Sequence, residues 1–398
     1  VTAARIGMVG AWFDPTDARI WSGMFRHVID ELTAMGVFAG YRDVTPSVPA
    51  ARLVHRWLRL TGRANASWTL RPEARLLAAV EGPWLRRRPP GDADAWIVPQ
   101  GMVGRPVTGR SVLWCDLSPA QLLAAGPELA AGFGFPEVTA RQLRAAAAAQ
   151  LAQHRRAVAT CAVSHWAARS LVADHGLDAA SVHVVGCGRN VDVAPPPARD
   201  WSTPRFLFVG NDWARKGGDT LLRCFARLRR ERPDARLDLA GTHPPVDVEG
   251  VSGHGPLRFD QPASRARLER LFAEATCFVM PSRLEPFGIV YVEAAAAGLA
   301  SIGTNRGGTA TSIGDGGVLV DPNDDGALLD AMRRLADPTE AATLGACAQR
   351  RAEQFTWRKV AERLLRASGV TAGDDADLAP FVDQQPATVG SPSTRGGR

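Results

Sequence analysis

The sequence predicts an α/β protein of two domains, each a parallel sheet flanked by helices, and three observations carry that prediction. The chain has 398 residues, 45% of them hydrophobic, enough for two cores at ~150 residues per domain. Short apolar runs alternate with segments of helical period, the pattern of strand–helix–strand units. A proline-rich stretch without apolar periodicity, "DVAPPPARDWSTP" at 192–204, divides that alternation into two parts of similar size.

In the first part, the apolar run "ARIGMVGAW" meets a turn-rich loop, and "MFRHVIDELTAMG" then carries Met24, Phe25, Val28, Ile29 and Leu32 at helical spacing before stopping at Gly36. The same alternation recurs at "DAWIVPQG", "SVLWCDLSPAQLL" and "ATCAVSHWAARSLVADHG", followed by "VHVVGCGRNVD". Between residues 45 and 92 the pattern is poorer, and "LRRRPPGDAD" reads as an exposed loop. In the second part, "RFLFVGND" is a strand, "DTLLRCFARLRRERP" a helix closed by Pro233 and "ARLDLAGTH" a strand. "SRARLERLFAEA" is a helix and "TCFVMPS" a strand. After "IVYVEAAAA", a helix closed by Gly298, come "ASIGTNRGG", "GGVLVDPND" and the helix "DGALLDAMRRLAD". The last helical pattern, "TWRKVAERLLRAS", ends at Gly369, and the Gly-, Pro-, Ser- and Asp-rich tail at 371–398 reads as disordered. The expected division is therefore 1–192, a linker at 193–204, 205–355, a final helix at 356–370 that packs back on the first domain, and the tail.

Composition excludes several classes. A formal net charge of +6 is mildly basic, and all but Lys216 and Lys359 of the 47 basic residues are arginines, which with the alanine runs fits a high-GC bacterial coding bias. Those arginines are dispersed among acids, with no basic stripe interleaved with aromatics, which argues against nucleic acid as a partner. Six scattered cysteines without a CxxC pair read as buried thiols in a reducing cytosol, and His165, His175 and His183 are too dispersed for a metal site. No run of 18 apolar residues and no leader pattern occur, so a soluble, cytoplasmic protein is expected, with peripheral association to a membrane left open.

The most informative stretch is "SRLEPFGIVYVEAAAAG", residues 282–298, which places Glu285 in a turn and Glu293 in a buried helix. Pro286 disfavours helical geometry at Glu285, and Gly288 lets backbone approach a ligand. The helix start beyond it offers free N–H groups and a positive dipole end, a seat for phosphate. Eight helical steps span about 12 Å, so the two carboxylates suit opposite ends of a long ligand rather than the two sides of one bond.

"EPFGIVYVE", with Pro-Phe-Gly behind one glutamate and a second glutamate after seven intervening residues, resembles the signature of family 4 retaining glycosyltransferases, which have the GT-B fold: two Rossmann-like domains facing a central cleft. The resemblance implies that Glu285 lies beside the transferred sugar, that Glu293 holds the ribose hydroxyls, and that backbone N–H groups of Phe287, Gly288 and Ile289 face the sugar and diphosphate. "FVGNDWARKGGDTLL" adds a strand, a basic loop and a Gly-Gly entry to a helix, a cradle for a diphosphate. It is similar to the family's loop in which an arginine and a lysine clamp the leaving group. Lys216 matches the lysine. Asn211 stands at the arginine position, and Arg215 is the candidate to supply that charge; ordinary solvated loop charges are the alternative.

In the first domain "WSGMF" occupies the place of the family's glycine-containing loop, with Ser22 and Gly23 as candidates. "LWCDLSP" offers Asp116 where family members carry a histidine or aspartate near the donor sugar; capping of the helix that starts near Ser118 is its equal alternative. At "NRGGTATSI" Gly307 and Gly308 match the family's Gly-Gly-x-Pro-Glu, while Ala310 and Thr311 replace its last two residues. "GCGRNV" lacks the third glycine of a dinucleotide fingerprint and leads to linker rather than helix.

By this resemblance the chain is a retaining, metal-independent glycosyltransferase with no prosthetic group. It moves a sugar from a UDP- or GDP-sugar to an acceptor, with Lys216, Arg215 and the helix start stabilising the leaving diphosphate. A small soluble natural product or metabolite is the favoured acceptor, while a lipid headgroup or polysaccharide also fits. The alternatives are an epimerase or hydrolase on the same fold, or a non-catalytic nucleotide-sugar binder.

Overall fold

The computed structural model describes residues 5–10, 14–17, 20–44, 93–100, 107, 109–132, 139–191, 193, 195–196, 198–258 and 261–370. The weakly patterned stretch 45–92, which holds most of the arginine-rich loop, and the tail 371–398 lie outside these residues.

The first sheet comprises β1 (Ile6–Gly10), β2 (Phe38–Asp43), β3 (Ala95–Pro99), β4 (Ser111–Cys115), β5 (Ala159–Ala162) and β6 (Val182–Val184). Its order among the described strands is β2-β1-β3-β4-β5-β6, and every pairing is parallel. β1, β3, β4 and β5 are buried at every position, as a parallel sheet covered on both faces requires. Its helices are α1 (Met24–Ala34), α2 (Pro119–Gly132), α3 (Ala140–His154) and α4 (His165–Ala173). The α1 side chains of Met24, Phe25, Val28 and Leu32 are buried at the spacing the sequence showed.

The second sheet comprises β7 (Arg205–Val209), β8 (Arg236–Ala240), β9 (Val251–Gly255), β10 (Cys277–Val279), β11 (Ala300–Thr304) and β12 (Gly317–Val320). Its order, β12-β11-β10-β7-β8-β9, is again wholly parallel. Between and after its strands run α5 (Gly218–Glu231), α6 (Pro262–Glu274), α7 (Ile289–Ala296), α8 (Thr309–Ile313), α9 (Asp325–Leu335), α10 (Pro338–Ala352) and α11 (Trp357–Ala367). Taken in chain order, this is the doubly wound dinucleotide-fold arrangement, whose strand order reverses between β7 and β10. Ligands of such sheets bind at the carboxyl ends of the strands that flank the reversal. In the first sheet the reversal falls between β1 and β3.

Two devices tie the halves together. α11 belongs to the first core: Val360, Ala361, Leu364 and Leu365 pack with Ile6, Met8, Phe25 and Val28, while the indole of Trp357 lies against Gly188. The "GCG" glycines thus serve helix packing. Within the proline-rich connection, Arg199 donates to the carbonyls of Phe272 and Ala273 in the last turn of α6, of Ala275 just past it, and of Ala297 after α7. One guanidinium therefore satisfies the open C-terminal ends of two helices.

The sequence pattern did not announce β2, β9, α3 or α10. The cysteines carry no disulfide among the described residues, but Cys347 is half-exposed rather than buried.

Candidate active site

Four loops meet at the carboxyl ends of the strands. The loop after β7 turns at Gly217, whose φ of 78° is left-handed; a Cβ there would run into the carbonyl of Pro281. This close approach carries Lys216 against the loop that follows β10. Lys216 Nζ donates to Glu285 Oε2, and Arg215 Nη1 lies 3.6 Å from the same oxygen. Arg215 is itself oriented by Asp212 Oδ2 at 3.0 Å and by the Leu284 carbonyl at 3.3 Å. The Lys216 and Glu285 side chains are only 13% and 9% exposed. Burial therefore lowers the Lys216 pKa, with the Glu285 carboxylate opposing the shift. Asn211, by contrast, is exposed at the loop's start, so the second cation at Glu285 is Arg215.

Glu285 is pinned through its backbone by the Gly-Gly pair after β11. Its N–H donates to Arg306 O at 3.2 Å and its carbonyl accepts from Gly308 N at 2.8 Å. Gly307, at φ 109°, forms the bridge, and any Cβ there would strike the Glu285 carbonyl. The two glycines that match the resemblance fix the Glu285 loop, while the replaced position Thr311 joins the two domains: its Oγ1 accepts the His165 backbone N–H at 3.0 Å.

Behind Glu285 the chain enters α7. The Phe287 ring is buried against Phe355, with centroids 5.6 Å apart, and its carbonyl accepts from Ser312 Oγ at 2.7 Å. Gly288 caps α7 at φ 78°; its carbonyl accepts the Tyr291 N–H at 3.0 Å, and the N–H groups of Ile289 and Val290 have no preceding turn of helix to accept them. Glu293, in the second turn, is 3% exposed. Its Oε1 accepts the Asn190 backbone N–H at 3.1 Å. Burial pushes its pKa up to about 7, against the opposing N–H groups of Asn190 and Val191.

Across the cleft, Trp21, Ser22 and Gly23 are consecutive left-handed residues with φ of 45°, 54° and 78°. For residues with a Cβ this conformation costs about 1–2 kcal/mol each. Packing holds it: the Trp21 ring lies 5.1 Å from Phe25 and 6.4 Å from Trp114. Asp116, just past β4, accepts the Leu117 N–H at 2.8 Å, and the helix-capping alternative falls instead to Ser118, whose Oγ accepts from Gln121 N at 3.1 Å. Burial, with the Glu285 carboxylate nearby, pushes the Asp116 pKa up to about 6.

The structure thus brings Lys216, Arg215 and Glu285 into contact, puts Asp116 within their electrostatic reach, and leaves Asn211 outside. It joins Glu293 to the Ser22–Gly23 turn through Asn190, whose Nδ2 donates to Ser22 O at 2.9 Å. Neither Asn190 nor the His165–Thr311 contact had a signal in the sequence, because each partner lies more than a hundred positions away. Among the described residues no group of three or more His, Cys, Asp or Glu side chains is placed to hold a metal ion.

Comparison with known proteins agrees with this architecture. The family model Glycosyl transferases group 1 matches residues 203–337. A D-inositol 3-phosphate glycosyltransferase of Nocardioides sp. is 32% identical over 230 residues, covering 50% of each chain. A glycogen synthase of Mycobacterium tuberculosis is 35% identical over 164 residues, 39% of this chain and 40% of the enzyme. The chain spans about half the length of the curated inositol-phosphate relatives it matches. Among solved structures, sucrose-phosphate synthase from Thermosynechococcus elongatus aligns with a TM-score of 0.63 at 19% identity over 91% of this chain and 98% of that one. WaaG, a glycosyltransferase involved in lipopolysaccharide biosynthesis, aligns with a TM-score of 0.60 at 17% identity over 92% and 100%. The strand order and these solved structures give the chain the GT-B fold of glycosyltransferases, and residues 203–337 within it match the group 1 glycosyl transferases.

Proposed function

We propose that the chain is a family 4 retaining glycosyltransferase that moves a sugar from a UDP- or GDP-sugar to a small soluble acceptor. The observation that carries this reading is the convergence of Lys216, Arg215 and Glu285 on the loops that flank the β7–β10 reversal. Two cations beside a helix start suit a diphosphate, and a buried carboxylate next to them suits hydroxyls of the attached sugar. Residues 205–355 bind the donor, with Glu293 on the ribose and the backbone of Phe287, Gly288 and Ile289 along the diphosphate. Residues 1–192 offer Ser22, Gly23 and Asp116 to the other side, with 193–204 as the connection. The D-inositol 3-phosphate in the relatives' names supports an acceptor of that small, soluble class.

In the reaction the bond from the anomeric carbon to the diphosphate oxygen breaks and a bond to the acceptor oxygen forms on the same face. The acceptor's proton passes to the departing phosphate oxygen, so no protein nucleophile takes part. Charge grows on the diphosphate as the bond breaks, and Lys216, Arg215 and the first turn of α7 meet it in a site from which water is largely excluded. These groups supply the positive charge without a bound metal. Cytoplasmic nucleotide sugars would reach the site directly, and no described helix is long and apolar enough to cross a membrane.

Calorimetric titration with UDP, GDP and NAD, with and without magnesium, tests the reading. Binding of one nucleoside diphosphate that is indifferent to magnesium and weakened in Glu293→Ala supports it. Binding of neither diphosphate sinks it. Release of free nucleoside diphosphate from a donor without any acceptor moves the assignment to a hydrolase on the same fold.

A further inference from the structure

We propose that Asn190 is a positioning residue that couples the nucleoside end of the donor site to the acceptor-side turn at Trp21–Gly23. The inference rests on the glycosyl-transfer reading and extends it to a residue that touches neither substrate.

Asn190 spends each of three polar groups on a different part of the molecule. Its backbone N–H donates to Glu293 Oε1 at 3.1 Å, in the second domain. Its side-chain Nδ2 donates to Ser22 O at 2.9 Å, in the first. Its Oδ1 accepts from Trp357 Nε1 at 3.2 Å, at the start of α11. The partners fix the amide's orientation, because an indole N–H only donates and a backbone carbonyl only accepts. A reversed amide, or an aspartate, would set oxygen against the Ser22 carbonyl.

What Asn190 grips is the strained part of the first domain. Trp21 and Ser22 are the positive-φ residues with side chains among those described, and such a backbone persists where its surroundings over-determine it. The turn is held from both ends. Asn190 takes the Ser22 carbonyl, and Trp357 stacks on His27 of α1, rings 5.3 Å apart and 5° from parallel, just beyond the turn. A ribose that engages Glu293 competes for, or reorients, the carboxylate that accepts the Asn190 N–H. The same residue then transmits that change to Ser22, so the acceptor side registers the donor with no ligand bridging the two. Packing alone explains a half-buried asparagine, but not one that divides its groups between a candidate ribose ligand and a left-handed turn.

The test is amide hydrogen exchange across residues 20–28 of the full chain, with and without saturating UDP or GDP, in the native protein, Asn190→Asp and Trp357→Phe. In the native protein the bound nucleotide should slow exchange in this segment. Asn190→Asp should keep nucleotide affinity within about threefold yet lose most of that protection, a change of about tenfold in exchange rate, inside the usual range of coupling factors. Trp357→Phe keeps the ring and removes the donor, so it should lose part of the protection. Unchanged protection in both variants overturns the inference alone. A parallel fall of Tm and nucleotide affinity in Asn190→Asp, with full protection retained in Trp357→Phe, assigns Asn190 to folding and also overturns it. Failure of the native protein to bind either nucleotide overturns the donor reading and this inference together.

Discussion

On the second-domain side of the cleft the left-handed positions that let Lys216 and Glu285 meet are glycines, Gly217 and Gly307, whereas on the first-domain side the same backbone is adopted by Trp21 and Ser22 with full side chains. The charged side is relaxed in its backbone, and its groups are tied in pairs. Strain sits on the other side, held by an aromatic trio and one asparagine. A site divided this way should respond differently on its two faces. Changes on the second domain should act on chemistry and ionisation, and changes on the first on geometry and stability.

The largest effect should come from Lys216→Ala. Removing a group that meets charge developing in the transition state costs on the order of 10²–10³ in kcat. Folding should suffer less, because Arg215 Nη1 already lies 3.6 Å from the Glu285 carboxylate and remains to compensate it. Transfer assays beside thermal melts separate the two. A variant with native turnover, or one whose lost activity is matched by a collapse in Tm, would remove the contrast between the faces.

Glu293 offers a second probe. Burial raises its pKa from 4.5 to about 7, so the folded state holds a proton that the unfolded chain gives up first. Between these values the folded state binds more protons, and stability falls as pH rises. The contribution is fully present below pH 4.5 and is lost by the time the pH passes 7. At 1.36 kcal/mol per unit the loss is about 3 kcal/mol. Glu293→Gln removes the titration while leaving an acceptor for the Asn190 N–H. Denaturant melts at several pH values should therefore show the native protein losing stability relative to the variant from pH 4.5 to 7. A constant difference would mean that Glu293 is ionised and paired throughout.

The legibility of the two faces differed for physical reasons. Strands buried on both faces, such as β1 and β4, and helices with one apolar stripe, such as α1, state their structure in their composition. The strands β2 and β9 lie at sheet edges and are mostly half-exposed, so "FAGYRD" and "VSGHG" need no apolar run and showed none. In α3 an alanine run erased the contrast between faces, and α10 packs by small residues, Ala348 and Ala352 against Ala295, which leaves little periodic signal. Lys216 and Glu285 were visible because local glycines and a proline punctuate their loops, and Glu293 because it is the one charge in the apolar helix that follows. Asn190 was not, since its role consists of contacts 103 to 168 positions away, and nothing beside it in the chain foretells them.

The smallest expected effect tests the strained face directly. Ser22 is exposed and Asn190 grips its backbone carbonyl rather than its side chain, so Ser22→Gly keeps the hydrogen bond and removes only the Cβ conflict of a left-handed residue. That relief is worth about 1–2 kcal/mol. The extra freedom glycine brings to the unfolded chain takes back about 0.4–1 kcal/mol of it. The net is a gain of roughly 0.5–1 kcal/mol, a rise in Tm of about 1–3 °C for a first domain of about 190 residues that melts as a unit. At an ordinary helical or extended position the same substitution has the opposite sign. A melt of Ser22→Gly below the native Tm would therefore show that the turn carries no strain, and the two faces of the cleft would no longer differ in the way their backbones are held.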